Sequence, residues 1–329
     1  MRPSTAVRPS APPLTPVRRT RRSGIARVAA AAALAAVALL GGCDRDATTV
    51  ERPAFDGEAA LDYVRVQLAF GPRVPGTDGH RQMGDWLVAE MRQRADTVIE
   101  QRWTHVTASG DSLPMRNVLA RFRPEATQRV LYIAHWDTRP ISEKADPARR
   151  DQPVPGANDG GSGVALLMGV ADQLRDTPAT VGVDLLFVDG EDYGDFGPPL
   201  VDVLIGSTYF ARNLPAGDYR PLLGVVWDMI GDRDLRIYQE DYSLRAAPEV
   251  VDRVWGIARD LGYGNIFIEQ NIGAIVDDHV PLQEVGLRVI DVIDLEFPAH
   301  HTPDDTIDKV SAESLQIVGE VAMAVIRSL

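Results

Sequence analysis

The 329-residue chain has a single cysteine, Cys43, so no intrachain disulfide can hold it together. It also lacks a comfortable membrane span. The apolar stretch from about Val28 to Leu40 is shorter than the roughly 20 residues a bilayer requires, and polar "DRDATT" follows closely. Residues 1–42 contain seven arginines and no acid, which leaves 27 basic against 47 acidic residues in the remainder, a net charge of −20. A surface of that sign repels phosphate backbones and excludes nucleic acid as the expected partner. The glycine-rich "GANDGGSG" has no lysine after its glycines and carries an acid where an anion would bind, so it is not a phosphate loop. What is present is ordinary for a globular protein, 45% hydrophobic and 25% charged, with enough chain for one large core.

The segment "RRTRRSGIARVAAAAALAAVALLGGC" runs from arginines through apolar residues to small ones before Cys43, the order of an export signal. "LGGC" resembles a bacterial lipobox, which implies a signal over residues 1–42, cleavage before Cys43, and lipid on that cysteine. The expected protein is then lipid-anchored in the cell envelope with its folded part outside the cytoplasm. Residues 43–55 form the tether, and the lipid is the only membrane contact. Asp44 after the cysteine implies, under the same resemblance, retention in the inner membrane.

From residue 56 to 329 the pattern reads as one domain. "GEAALDYVRVQLAF" and "RQMGDWLVAEMRQR" have helical spacing, separated by the glycine- and proline-bearing "GPRVPGTDGH". β-rich runs follow in "DTVIEQRWTHV", "MRNVLARFR", "RVLYIAHWD", "VGVDLLFVDG", "LLGVVWDMIG", "LRIYQ" and "LRVIDVID". Helices are expected in "SGVALLMGVADQLRD" and at about 247–261 and 312–328. Nearly unbroken apolar strands alternating with helices predict an α/β domain, its central sheet mostly parallel or mixed, twisted, and flanked by helices on both faces. In such sheets ligands bind beyond the carboxyl ends of the strands.

Those ends collect acids and histidines: His135 and Asp137 after "RVLYIA", Asp159 in "GANDGGSG", Glu191 and Asp192 after "LLFVDG", Asp228 after "LLGVVW", Asp277 to His279 in "VDDH", and His300 and His301 in "FPAHHT". Singly, each is more commonly a cap or a solvated loop residue. Together, with four of the six histidines among them and no thiolate available, they form the oxygen and imidazole set that zinc uses. The glycines around Asp159 can serve a tight turn and cap, or let the backbone bend so that Asp159 faces the site.

"AHWDTRP", "PGANDGGSGVALLM", "FVDGEDYG", "WDMIG" and "HHTPDDTID", in this order, resemble the zinc aminopeptidase superfamily that also contains the animal-type glutaminyl cyclases. The resemblance runs from about Leu61 to the carboxyl terminus and implies the same fold, peptide or protein amino termini as partners, and a monomer. It places Asp159, Asp192 and His301 on a zinc ion and Glu191 as the general acid/base. Asp228 is shared between the branches: in the peptidases its counterpart completes a second zinc site with the match of His135, while in the cyclases it joins a carboxylate network. Asp277 favours the cyclases, since peptidases commonly have serine there. The plain alternative is that Asp277 and Asp278, the latter in particular, are acids opening a helix. Phe297 and His300 are expected to line the substrate pocket.

This sequence departs from the animal cyclases at three points. It has aspartate at 192 where they have glutamate, His300 where they have a pocket tryptophan, and no partner cysteine for their disulfide. At the histidine pair, His300 and His301 can also exchange roles. The expected reaction is cyclisation of an amino-terminal glutamine to pyroglutamate with release of ammonia, using one zinc. The alternative from the same resemblance is an aminopeptidase with two. A peptide-binding lipoprotein without catalysis is the third reading.

Overall fold

The computed structural model describes residues 52–215 and 218–329, so the expected export segment and Cys43 lie outside the described residues. Two helices open the fold, and each begins where a polar side chain satisfies a free backbone amide. α1 (Gly57–Leu68) starts at Asp56, whose carboxylate accepts from the Ala59 amide. α2 (Asp78–Arg92) starts at Thr77, whose hydroxyl accepts from His80, so Asp78 to His80 belong to the helix rather than to the turn expected there.

The expected tether ends sooner than Phe55. Pro53 and Phe55 are buried, and Phe55 fills a socket between helices that two glycines leave open. A side chain on Gly169 or Gly319 would stand 2.5 or 2.2 Å from its ring. The apolar ring is thus part of the core, and only residues before it are free to be tether.

Next come the hairpin β1 (Thr97–Val106) and β2 (Ser112–Phe122), then β3 (Arg129–His135), α3 (Gly161–Asp176), β4 (Gly182–Val188), α4 (Ile205–Arg212) and β5 (Leu223–Asp228). β6 (Ile237–Gln239), α5 (Asp241–Ala246), α6 (Pro248–Asp260), β7 (Phe267–Asn271), α7 (His279–Glu284), β8 (Val289–Ile293) and α8 (Ala312–Arg327) complete the chain. The main sheet has the order β1-β2-β4-β3-β5-β8, antiparallel from β1 to β4 and parallel from β4 to β8. "LRIYQ" does not join it, since β6 pairs with β7 in a separate two-stranded sheet.

The unbroken apolar runs follow from burial on both faces. Along β3, Val130, Tyr132 and Ala134 enter the large core that holds α1, α3, α6 and α8, whereas Leu131 and Ile133 enter a second core with Phe210 of α4 and Leu282 of α7. α3 lies close against the sheet because Gly163 has no side chain. A Cβ there would meet the Trp227 carbonyl oxygen at 2.1 Å. That approach brings Asp159, just before α3, to the carboxyl ends of β3 and β5. Among the described residues no helix is long and apolar enough to cross a membrane.

Candidate active site

At the carboxyl ends of β3, β4, β5 and β8 lies a cavity of about 430 Å³. Asp159, Glu191, Asp192, Asp228, Asp277, His300 and His301 line it, so residues spread over 143 positions of sequence, from 159 to 301, meet in one place. His135 sits behind this wall, its Nε2 3.1 Å from both Asp159 Oδ1 and Asp228 Oδ1. A larger groove of about 630 Å³, bordered by Arg94, Arg123 and Arg175, has neither histidine nor this convergence of acids.

Glu191 and Asp192 part company, but not because the strand stays extended. β4 ends at Val188, and Gly190 turns the chain with a φ of +70°, a value glycine adopts without strain. Glu191 Oε2 then faces His135 Nδ1 at 3.9 Å, and Asp192 Oδ1 faces His301 Nε2 at 3.3 Å. The backbone amides of both residues donate to the buried Asp137 carboxylate, each at 3.1 Å. Asp305 does the same for the other loop, accepting from the amides of Asn158 at 2.8 Å and Asp159 at 3.1 Å.

Three groups can hold a cation together. His301 Nε2 is 3.3 Å from Asp192 Oδ1 and 3.7 Å from Asp159 Oδ2. Asp159 Oδ2 and Asp192 Oδ2 are buried without a hydrogen-bond partner, a costly state for a carboxylate that a cation between them relieves. One nitrogen and two aspartates suit zinc. Two donor clusters also satisfy the spacing of a metal site: Asp159 with His300 and His301, and Asp159 with His135 and Asp228. The site therefore contains the donors of both a one-metal and a two-metal arrangement.

Two residues that sequence reading missed hold these donors in place. Glu143 takes the His301 Nδ1 side, which leaves Nε2 facing the aspartates, and its other oxygen accepts from Arg139 Nε at 2.7 Å. Arg139 in turn donates to Asp192 Oδ1 at 2.8 Å. Both come from the loop after β3, where "DTRPISEK" has no periodicity to show which of its charges turn inward. Replacing Glu143 by alanine is expected to weaken zinc binding about 10- to 100-fold, measured by competition with a chelator. Unchanged affinity would show that the carboxylate does not orient His301.

Low-dielectric surroundings shape the acids. Burial raises Glu191 well above the usual carboxylate range, and the neighbouring charges of Asp192 and Asp277 add to it. Asp277 is pushed up to about 6 by burial and by Asp228. Burial also acts to raise Asp159, but the hydrogen bond and charge of His135 outweigh it and hold that group below its usual value. Burial and the adjacent His301 push His300 down to about 3, which keeps its ring neutral.

Two of the expected positions need correction. Phe297 does not line the cavity. It packs with Met229, Ile275 and Ile293, supporting the wall from behind, because its apolar ring is better buried than left in a polar mouth. Asp278 does precede α7, but its carboxylate makes no capping bond and is completely buried rather than solvated. At the histidine pair, His301 Nε2 faces the aspartates and His300 Nδ1 receives Lys144 Nζ at 2.9 Å, while both rings stand within metal-sharing distance of Asp159.

A mixed sheet carrying this donor set at its carboxyl ends defines the zinc exopeptidase class of α/β folds. The chain belongs to peptidase family M28, whose profile matches residues 117–326. It is similar to glutaminyl cyclase of Porphyromonas gingivalis, 39% identical, with a TM-score of 0.80 over 83% of this chain and 98% of that one. It is also similar to glutaminyl cyclase of Bacteroides thetaiotaomicron in complex with N-acetylhistamine, 33% identical, TM-score 0.81, covering 85% of this chain and 100% of that one. Aminopeptidase YwaD of Bacillus subtilis is 21% identical over 275 residues, 78% of this chain but only 53% of the aminopeptidase. Both the cyclase and the peptidase branches are thus among its relatives.

Proposed function

We propose that this protein is a zinc-dependent glutaminyl-peptide cyclotransferase. Asp277 carries the reading: a third buried acid stands on the cavity beside Glu191 and Asp228, at the position where the peptidases commonly have serine. Hydrolysis by a metal-activated water has no need of that acid, whereas a reaction that moves a proton between two substrate nitrogens does. The similarity to two bacterial glutaminyl cyclases over more than four-fifths of the chain supports the same reading.

Asp159, Asp192 and His301 would hold the zinc, which when bound supplies a Lewis acid that polarises the substrate's side-chain amide. The peptide enters with its amino-terminal glutamine toward the cavity floor, and its amine attacks the side-chain amide carbon. The bond from amine nitrogen to that carbon forms, the bond to the amide nitrogen breaks, and ammonia leaves. Glu191 takes a proton from the attacking amine and returns it to the departing nitrogen. Burial suits it to this exchange, because a carboxylate raised toward neutrality both accepts and donates readily. Asp277 and Asp228 hold the proton near Glu191 between the two transfers.

A second reading rests on the cluster of His135, Asp159 and Asp228, which can hold another ion as in a two-zinc aminopeptidase. Metal content separates the two: the cyclase binds about one zinc per chain and the peptidase about two. Purified protein with zinc restored is expected to release ammonia from a glutamine-initiated peptide and to leave an amino-acid amide intact. Two zinc ions and cleavage of the amide would instead establish the peptidase. A binding protein without catalysis is disfavoured because every donor position keeps a polar side chain. The envelope location and lipid anchor at Cys43 belong to this proposal as well, supported by the residues before Asp44 alone.

A further inference from the structure

Lysine is scarce in this chain: only Lys144 and Lys309 among its 34 basic residues. Lys144 lies on the wall of the active cavity. Its position is set twice, by Nζ donating to His300 Nδ1 at 2.9 Å and by its backbone amide donating to the His301 carbonyl at 3.3 Å. The acceptor at its amine is an imidazole nitrogen, which carries no negative charge, so this contact orients the ammonium without cancelling it. Among the described residues Lys144 has no carboxylate ion-pair partner, whereas Arg139, the other cation lining the cavity, is engaged by Asp192 and Glu143.

The cavity has a direction. Glu191 and Asp277 are buried at its floor, while Lys144 and Asp195 are exposed at its rim. An amino-terminal glutamine must reach the floor for its amine to meet Glu191, so the rest of the peptide leaves past the rim. Of these two exposed charges, Asp195 keeps its negative charge but is tied into its own loop, where it accepts from the Gly197 amide at 2.7 Å. Lys144 is the one fixed against His300, next to His301, and so is the charge placed to meet the residue that follows the glutamine.

We infer that Lys144 selects glutaminyl peptides whose next residue is acidic, an inference that rests on the cyclase reading. An aspartate or glutamate after the glutamine pairs with the ammonium, and a lysine or arginine there is repelled. A single exposed ion pair contributes little. Attraction for one charge and repulsion of the other combine to an expected ratio of about tenfold in kcat/KM between Gln-Glu and Gln-Lys peptides, with Gln-Ala between them. The ratio should shrink at high salt, because the rim is open to solvent.

The zinc-loaded protein is tested with Gln-Glu, Gln-Ala and Gln-Lys peptides by continuous measurement of released ammonia. The preference for Gln-Glu is expected to persist in Lys144→Arg, vanish in Lys144→Met and invert in Lys144→Glu. The inversion depends on the sign of the charge, so general damage to the pocket cannot imitate it. Equal kcat/KM for the three peptides, or a preference that survives in Lys144→Met, overturns the role of Lys144. Absence of ammonia from all three peptides overturns the cyclase reading, and this inference with it.

Discussion

Glu191→Gln is expected to lower ammonia release from a glutaminyl peptide by about 10²- to 10⁴-fold while zinc stays bound. The substitution keeps the size of the side chain and removes only its ability to exchange a proton. Glu191 faces His135, not His301, so the donors that face one another across the metal position, Asp159, Asp192 and His301, are untouched. The buried floor also loses one of several acids that raise one another, so the variant should fold at least as well as the parent. Turnover and zinc content measured on the same preparation check this. Full activity with an amide at 191 would remove Glu191 from the reaction.

Asp192→Ala is expected to lose both zinc and turnover, the opposite pairing of effects from the adjacent residue. It removes one of three donors and also strands Arg139, which is 4% exposed and donates to Asp192 through its guanidinium. Breaking a buried ion pair from one side costs about 3–5 kcal/mol of stability. Asp192→Asn separates the two consequences: it keeps an oxygen for Arg139 but loses the charge that a metal needs. The asparagine variant should therefore melt near the parent and still fail to retain zinc. Zinc content equal to the parent's in both variants would exclude Asp192 as a ligand.

Much of this site is legible in the amino-acid sequence. Strands buried on both faces read as unbroken apolar runs, so β3, β4, β5 and β8 and the acids at their ends stood out directly. Asp159, Glu191, Asp192, Asp228, Asp277 and His301 do converge on one cavity. Short elements were missed, since α5 and α7 span six residues each and β7 five, too few to display a period. Arg139 and Glu143 were missed for a different reason: a charged loop looks the same in sequence whether its side chains face water or a buried ligand.

Local periodicity, chain polarity and the residue types at strand ends were therefore determined by the sequence itself, because strand and helix repeats depend on near neighbours. Which side chain meets which depended on the tertiary structure. The turn at Gly190 sends Glu191 and Asp192 to different histidines, and the close packing of α3 through Gly163 delivers Asp159 between them. Other long-range contacts place Phe297 behind the wall, against Met229 and Ile275, and hold Lys144 at its rim, against His300. These outcomes come from contacts between segments far apart in the chain, where distance along the sequence carries no information about distance in space.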